Sequence, residues 1–438
     1  MTLLSKCILA GYVILHALFI FLLDHQLKKH MQTFPAYRKA RWIWIIPFAA
    51  AAAAPVAATF LPKGKTALSL QRFGNVFLAF DMHIAGLFLI VTLFSWIVFL
   101  LIRVITAGSR PGQHSPSRKA FSGKLPLWLL LLILAAGIVV PLYGLHHAQD
   151  TVVHFFKADL REDTAVRSEA APDLSKDDSD RSAIQDGIPE KRTSDRELRI
   201  ALIADLHLSV NSHLSTTQNM VRLINEQEPD IVLVAGDIFT SSYAALRDPE
   251  KYAEAIRGIR APMGVYAVYG NHDVEETLFS GFAVHPVSQA FRSKQIKQFF
   301  LDCGFTILCD QTVSIADDTL LLAGRIDGNK AGDGTKNRMT PDELLKDTDI
   351  AKPVLVLEHE PVEYKELREA GADMVFSGHT HNGQIFPGSL FVNLMNENAY
   401  GQKVLYGIQT FVTSGVGTFG PPMRTGTDSE IMIIDVLY

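Results

Sequence analysis

The sequence contains little cysteine and little net charge, and each scarcity excludes a class of protein. Three cysteines among 438 residues cannot form the framework of a disulfide-rich fold, and Cys7 lies in an apolar segment. Cys303 and Cys309 could pair, although two free thiols are the preferred interpretation. A net charge of -5 provides no strongly basic face, so nucleic acid is not an expected partner.

Apolar residues are abundant in the N-terminal third. The mean hydropathy of the whole chain is +0.16, and four apolar runs are long enough to cross a bilayer. They extend from about Leu3 to Leu23, Trp42 to Leu61, Val76 to Ile102 and Leu125 to Leu145. We therefore predict an all-α domain of four transmembrane helices over residues 1–158. His16, Asp81 and His83 lie within or near these runs, and we interpret them as side chains that reach the interface and are solvated.

Basic residues between the apolar runs predict the orientation of the chain. Residues 24–41 and residues 103–124 contain five Lys and Arg each, whereas residues 62–75 contain three. Basic loops stay in the cytoplasm, so the first and third loops are expected there. The C-terminal part would then be extracytoplasmic. It follows a polar stretch of mixed charge, residues 159–197, which has too few large apolar residues to fold alone and is expected to be a flexible linker.

Residues 198–438 show a different pattern, in which short aliphatic runs alternate with amphipathic stretches. This alternation predicts an α/β domain. Polar residues of the types that bind metals follow five of its predicted strands: Asp205 and His207; Asp237; Asn271, His272 and Asp273; His359; and His379 and His381. Open α/β sheets form binding crevices at the carboxyl ends of their strands. Residues two apart in an extended segment face the same way, so the two pairs should each converge on one site.

The residue types indicate the chemistry of this site. Carboxylate, imidazole and amide donors suit a divalent ion such as Mn, Fe or Zn, and the lack of thiolates argues against a structural zinc site. The single carboxylate of Asp237 could bridge two ions. Each residue alone also has a simpler interpretation, since an Asp after a strand can cap a helix. The recurrence at five strand ends is what favours a site.

The ordered series D-x-H, G-D, G-N-H-D, a single His and G-H-x-H resembles the calcineurin-like metallophosphoesterases. The resemblance covers roughly residues 198–438 and is closest to a membrane-anchored bacterial branch, whose H-T-H-G-G-Q segment has Asn382 here in place of its first glycine. It implies a four-layer α/β/β/α sandwich. It also implies an enzyme in which a dinuclear metal centre with a bridging hydroxide hydrolyses a phosphate ester or pyrophosphate bond.

The resemblance also implies a role for individual residues. One ion would be bound by Asp205, His207, Asp237 and His381, and the other by Asp237, Asn271, His359 and His379. His272 would protonate the leaving group, Asp273 would hold the loop around it, and Arg424 would bind a substrate phosphate.

Two further interpretations remain at this stage. The domain could be a non-catalytic sensor that signals through the helices, or an accessory to a transporter formed by the membrane part. If it is an enzyme, membrane attachment favours a lipid-linked or envelope phosphate as substrate. The Phe-rich segment from Leu278 to Phe300 could form an apolar lip for such a substrate, but an ordinary helix packed on the sheet is the preferred interpretation.

Overall fold

The computed structural model describes residues 3–31, 36–61, 64–107, 125–160, 197–240, 242–279, 282–283 and 286–438. It divides into two compact units, Met1–Tyr143 and Gly144–Tyr438. Apart from its end residues, the predicted linker 159–197 lies outside the described residues, and so do most of the basic positions between residues 103 and 124.

The first unit is helical. Its helices are α1 (Leu3–His30), α2 (Tyr37–Ala40), α3 (Trp42–Phe60), α4 (Lys65–Ala107) and most of α5 (Leu127–His147). Within the described ranges, four helical segments are long and apolar enough to cross a membrane: Lys6–His30, Tyr37–Phe60, Lys65–Val98 and Leu127–His147. The predicted all-α region of four apolar helices is therefore confirmed.

One expectation for this unit is wrong. His16 and Asp81 are not solvated at an interface, because both are buried and His16 Nε2 lies 2.7 Å from Asp81 Oδ2. His16 Nδ1 also lies 2.7 Å from the carbonyl oxygen of Tyr12. An ionisable group is costly in an apolar environment unless it is paired, and α1 and α4 supply partners to each other.

The second unit contains two six-stranded sheets. The first has the order β1 (Thr151–Asp159), β14 (Ser429–Leu437), β2 (Glu197–Ile203), β3 (Ile231–Ala235), β4 (Val265–Val268) and β7 (Thr306–Ile307). The second has the order β12 (Gly401–Leu405), β13 (Ile408–Val412), β11 (Met374–Ser377), β10 (Val354–Leu357), β9 (Leu320–Gly324) and β8 (Gln311–Ile315). Strands β2, β3, β4 and β7 are mutually parallel, as are β9, β10, β11 and β13. A two-residue hairpin, β5 (Leu278–Phe279) and β6 (Phe282–Ala283), lies outside both sheets.

Three apolar cores show that the second unit has four layers. Leu202 and Leu233 of the first sheet meet Leu357 and Phe376 of the second in the core between the sheets. Helices α6 (Leu214–Glu226), α7 (Pro249–Arg257) and α8 (Lys294–Asp302) cover the outer face of the first sheet. Helices α9 (Pro341–Leu345) and α10 (Tyr364–Glu369) cover the second. The α/β/β/α sandwich is confirmed, and strands buried on both faces explain the continuous apolar runs in the sequence.

The edge strand β1 differs from the sequence-based expectation. Residues 151–158 were assigned to the membrane domain, but Thr151–Asp159 pairs in parallel with β14 over nine residues. The second unit therefore begins at Gly144, within the last turn of α5. Hydropathy alone places no boundary here, because the strand follows an apolar helix after only three residues.

Two further features are settled by the structure. Cys303 is buried just after the end of α8 and Cys309 is half-buried, and both are free thiols. The expectation of an ordinary packed helix holds only for the end of the Phe-rich segment, where Phe299 and Phe300 of α8 are buried in the core of the first sheet. The segment begins instead with the β5–β6 hairpin, and Phe291 is exposed.

Candidate metal centre

The polar residues that follow the strands lie in sharp turns with left-handed backbone. Asp205, His207, Asp237, His379 and His381 have φ values of 55°, 46°, 53°, 72° and 52°. Non-glycine residues rarely adopt this conformation, which costs free energy and is concentrated at functional sites. The D-x-H pair and the H-x-H pair were expected to lie in extended backbone, but they do not. Their side chains converge because the backbone turns at both residues of each pair.

Glycines that precede Asn271 and His379 allow the loops to approach each other closely. A Cβ atom at Gly378 would lie 2.5 Å from Asp205 Oδ2, and one at Gly270 would overlap Asp237 Oδ1. Any other residue at these positions would displace a carboxylate. The strand ends of the two sheets therefore meet around the aspartates only because these positions have no side chain.

A first group of donor atoms comes from the ends of β2, β3 and β11. His207 Nε2 lies 3.0 Å from His381 Nε2, and these two nitrogens lie 3.8 and 3.4 Å from Asp205 Oδ1. Asp237 Oδ2 is 3.7 Å from His207 Nε2. The side chains are almost fully inaccessible to solvent. This group unites the four residues expected to bind one ion.

A second group adjoins the first and shares one atom with it. Asp237 Oδ2 also lies 3.1 Å from His359 Nε2. His359 Nε2 is 2.9 Å from Asn271 Oδ1 and 3.2 Å from His379 Nδ1, which is itself 3.2 Å from Asn271 Oδ1. The four residues expected to bind the other ion thus lie together. Asp237 Oδ2 faces both groups, as required of a bridging ligand.

The donor atoms fit divalent cations. Two donors that bind one ion at roughly 2.1 Å lie roughly 3.0–3.4 Å apart, close to the separations found within each group. Asp205 Oδ1, although buried, has no hydrogen-bond partner, and buried carboxylate oxygens seldom remain unpartnered. Imidazole and carboxylate donors without thiolate suit Mn, Fe or Zn, and the structure does not distinguish among these metals.

The histidines are mostly held in the neutral form that binds metals. Burial lowers the pKa of His207 to about 3, and burial together with the neighbouring His359 lowers the pKa of His379 to about 3. The pKa of His381 is lowered well below its usual value by burial and by His207. His359 is the exception: burial would lower its pKa, but Asp237 raises it well above the usual value.

Without cations, the ionised form of a buried carboxylate at this site is disfavoured unless a positive side chain lies beside it. Burial and the nearby Asp237 raise the pKa of Asp205 to about 7. Burial acts in the same direction on Asp237, but His359 and His272 hold its pKa well below the usual value. Proximity of two buried carboxylates is unfavourable without cations, which explains why protonation of Asp205 and His359 is promoted.

His272 lies beside both groups and contacts residues not predicted from sequence. Its backbone N–H donates to Asp237 Oδ1 at 2.7 Å, and its ring packs on Phe419 with centroids 4.5 Å apart. Its Nδ1 lies 3.5 Å from Glu276 Oε1, which in turn is 2.6 Å from Lys330 Nζ. Lys330 and His272 keep the pKa of the buried Glu276 below its usual value, against the effect of burial. A signal was available in the sequence, since Glu276 follows His272 by four residues.

Asp273 braces the loops that present the ligands. Its Oδ2 accepts hydrogen bonds from the backbone N–H groups of Asp237 and Gly270, and its Oδ1 accepts one from Phe239, each at 2.9 Å. Burial and Asp237 raise its pKa to about 7. The side chain therefore contacts backbone next to the ligands rather than the donor groups themselves.

Arg424 does not occupy the position expected of a phosphate ligand. It is fully buried, and its guanidinium donates to the carbonyl oxygens of Ser414, Gly415 and Gly417 at 2.6, 3.0 and 2.7 Å. Burial lowers its pKa to about 10. A buried side chain that satisfies three carbonyl groups has a structural function, so the expected role in substrate binding is corrected.

Two buried acidic residues near the second group were also missed. Asp327 has an unpartnered carboxylate oxygen, and Glu360 Oε1 lies 3.9 Å from His379 Nε2. Burial and Asp327 raise the pKa of Glu360 to about 7. Asp327 follows β9 and Glu360 follows β10. Asp205 was identified because it follows a predicted strand, and the same criterion would also have identified these two residues.

Comparison with known proteins gives a consistent result. The family model of the calcineurin-like phosphoesterases matches residues 198–383. An uncharacterised metallophosphoesterase of Aquifex aeolicus is 30% identical over 253 residues, which are 56% of this chain and 88% of that protein. A transmembrane protein with a metallophosphoesterase domain from Danio rerio is 30% identical over 246 residues, which are 53% of this chain and 52% of that protein.

A relative with a named substrate is more distant. The UDP-2,3-diacylglucosamine pyrophosphatase of Chlamydia trachomatis is 26% identical over 248 residues, which are 49% of this chain and 73% of that protein. In the Danio rerio protein and two Helicobacter pylori relatives, the matched region spans only 52–60% of the relative's length.

Proposed function

The chain belongs to the calcineurin-like metallophosphoesterases, and we propose that its second unit hydrolyses a phosphate ester or pyrophosphate bond with two bound divalent cations. The observation that supports this most directly is the position of Asp237 Oδ2, which faces both groups of donor atoms. Asp205, His207 and His381 would complete the first ion's ligands, and Asn271, His359 and His379 the second's. Such ions activate water near neutral pH and stabilise the charge that develops on a phosphoryl group.

We assign to His272 the transfer of a proton to the leaving group. Its backbone bond to Asp237 and its packing on Phe419 fix the ring beside both donor groups. Glu276, itself paired with Lys330, lies 3.5 Å from Nδ1 and helps to orient the ring. Imidazole suits this role because it exchanges protons near pH 7.

We propose a lipid-linked or envelope phosphate as the substrate. Four apolar helices precede the catalytic unit, which confines it to a membrane surface. The relative from Chlamydia trachomatis, named for a diacylated nucleotide sugar, supports the same class. The distribution of Lys and Arg between the apolar runs supports an extracytoplasmic position for this unit.

The central experiment combines metal analysis with a substrate screen. The full-length chain and its Asp237→Asn and His272→Ala variants are purified in detergent and tested on soluble phosphoesters, nucleotides and lipid-linked phosphates. We expect two divalent ions in the wild type and fewer in Asp237→Asn, and we expect His272→Ala to keep its metal but lose turnover.

His213→Ala is the matched control, because His213 is exposed and lies outside both donor groups. It should behave as the wild type. Full turnover by His272→Ala would favour the non-catalytic sensor. Wild-type protein without bound metal after exposure to Mn, Fe and Zn would refute the proposed centre.

A further inference from the structure

An exposed apolar segment lies next to the donor groups. Among the described residues of the second unit, nine large hydrophobic side chains are exposed. Five of them fall within ten residues of chain: Phe386, Leu390, Phe391, Leu394 and Met395. Four of these five lie on helix α11 (Gly388–Met395), which begins seven residues after His381. We call Phe386–Met395 the apolar helix segment.

This helix contributes no side chain to the apolar cores of the unit. It contains no buried residue, and Leu394 and Met395 are 84% and 81% exposed. The fifteen residues from Asn382 to Asn396 include no charged side chain and no histidine. Single exposed hydrophobic residues are common on soluble proteins, but four of them on one uncharged helix of eight residues mark an interaction surface.

Hydrogen bonds within the second unit connect the segment to the end of the last apolar helix. The N–H of Arg424 donates to the carbonyl oxygen of Gly144 at 3.0 Å, and the N–H of Phe386 donates to the carbonyl oxygen of Thr425 at 2.9 Å. His147 Nε2 lies 2.9 Å from Asp428 Oδ1. The short loop of residues 424–428 is thus bound both to the last turn of α5 and to the first residue of the segment.

This connection indicates which partner covers the segment. Residues Leu127–His147 have the length and composition of a membrane-spanning helix, so Gly144–His147 are at or near one surface of the bilayer. The segment, bound to the same loop, is at a similar depth. Uncharged helices rich in Leu and Phe bind bilayers at the boundary between headgroups and acyl chains.

We propose that the apolar helix segment docks into the bilayer surface from which α5 emerges, with Leu390, Phe391, Leu394 and Met395 among the lipid acyl chains. Docking would fix a second point of the catalytic unit on the membrane and bring the loop of His379 and His381 close to the headgroups. The proposal concerns membrane contact and does not depend on the hydrolytic activity.

The test measures the lipid exposure of one residue in the full-length chain. Leu394→Cys is labelled with an environment-sensitive fluorophore in a background in which Cys7 and Cys309 are replaced by Ser, while the buried Cys303 is retained. The protein is placed, one copy per disc, in nanodiscs of phosphatidylcholine and phosphatidylglycerol with or without doxyl-labelled acyl chains. We expect a blue-shifted emission that the doxyl lipids quench strongly.

Leu301→Cys, labelled in the same way, is the matched control, because Leu301 is also an exposed leucine on a helix of this unit. Its emission should stay that of a water-exposed dye and should not be quenched. The same measurement at Phe391→Cys guards against a local effect of one label. Unquenched emission at both 394 and 391 would overturn the proposal. A blue shift without quenching, which would indicate a protein-covered surface, would overturn it as well.

Discussion

The buried carboxyl group of Asp205 leads to a counterintuitive prediction for the metal-free protein. Its pKa is raised from 3.8 to about 7, chiefly by burial. A change of one in pKa corresponds to about 1.4 kcal/mol, so the ionised carboxylate opposes folding by up to about 4 kcal/mol. Asp237 and His359 also affect the pKa of Asp205, so the substitution removes only part of this penalty. We therefore expect Asp205→Asn to stabilise the metal-free protein by about 2–4 kcal/mol at pH 8.

The pH dependence follows from the direction of the shift. A carboxyl group whose pKa is raised on folding binds its proton more tightly in the folded state. The penalty is therefore absent below the unfolded pKa of 3.8, grows as the pH rises, and is complete above about 7. The difference between Asp205→Asn and the wild type should shrink to roughly a quarter of its pH 8 value at pH 4.5. Divalent cations should reverse the order, because they stabilise the wild type more than the variant.

Thermal unfolding can be followed with a thiol-reactive dye in a background in which Cys7 and Cys309 are replaced by Ser. Cys303 is buried in the core of the first sheet and becomes reactive when the catalytic unit unfolds. For a unit of this size, 2–4 kcal/mol corresponds to roughly 5–12 °C in Tm. Asp435→Asn is the matched control, because Asp435 accepts two bonds from Arg199 at 2.7 and 2.9 Å and its loss should lower Tm. Destabilisation by Asp205→Asn at pH 8, or an equal effect at pH 4.5, would refute the reasoning.

Three further predictions concern neighbouring residues. His272→Ala should lower kcat roughly 100- to 10,000-fold at unchanged metal content, because the variant lacks only the proton donor; coupled loss of metal in elemental analysis would contradict this. Asp273→Asn should weaken metal affinity roughly 10- to 100-fold, since Asp273 holds the backbone at Asp237 and Gly270, and a titration with Mn measures it. Arg424→Met should lower the free energy of unfolding by at least roughly 3 kcal/mol, about 1 kcal/mol for each carbonyl group left without a donor, and so lower Tm. An unchanged Tm together with a raised KM would instead support a role in substrate binding.

The architecture could be predicted from sequence because its signals are local. Apolar runs of bilayer length and buried strands ending in polar residues are both visible in a single stretch of chain. The convergence of Asp205 with His207, and of His379 with His381, was also expected, but for a reason that the structure does not support. Side chains were assumed to alternate along extended chain, whereas five ligand-type residues have left-handed backbone. Asp and His adopt this conformation more often than most residues, but their presence alone does not predict it.

Other features could not be predicted because they depend on distant contacts. Arg424 follows two prolines in a loop and resembles a free phosphate ligand until its three carbonyl partners are known. His16 and Asp81 are 65 residues apart, and only the packing of α1 against α4 pairs them. The apolar helix segment has the composition of a core helix, and nothing in its sequence indicates that no residue of α11 is fully buried.

The pairing of β1 with β14 has a consequence for how the catalytic unit is held. Residues 151–159 precede the polar stretch 161–196, yet they form the edge of the sheet beside the C-terminal strand over nine paired residues. A protease that severs the polar stretch would therefore not separate the two fragments, because the N-terminal fragment would retain the rest of the second unit through the β1–β14 ladder of backbone hydrogen bonds. Conversely, a soluble fragment that starts at Leu198 would lack its edge strand and expose β14 to aggregation.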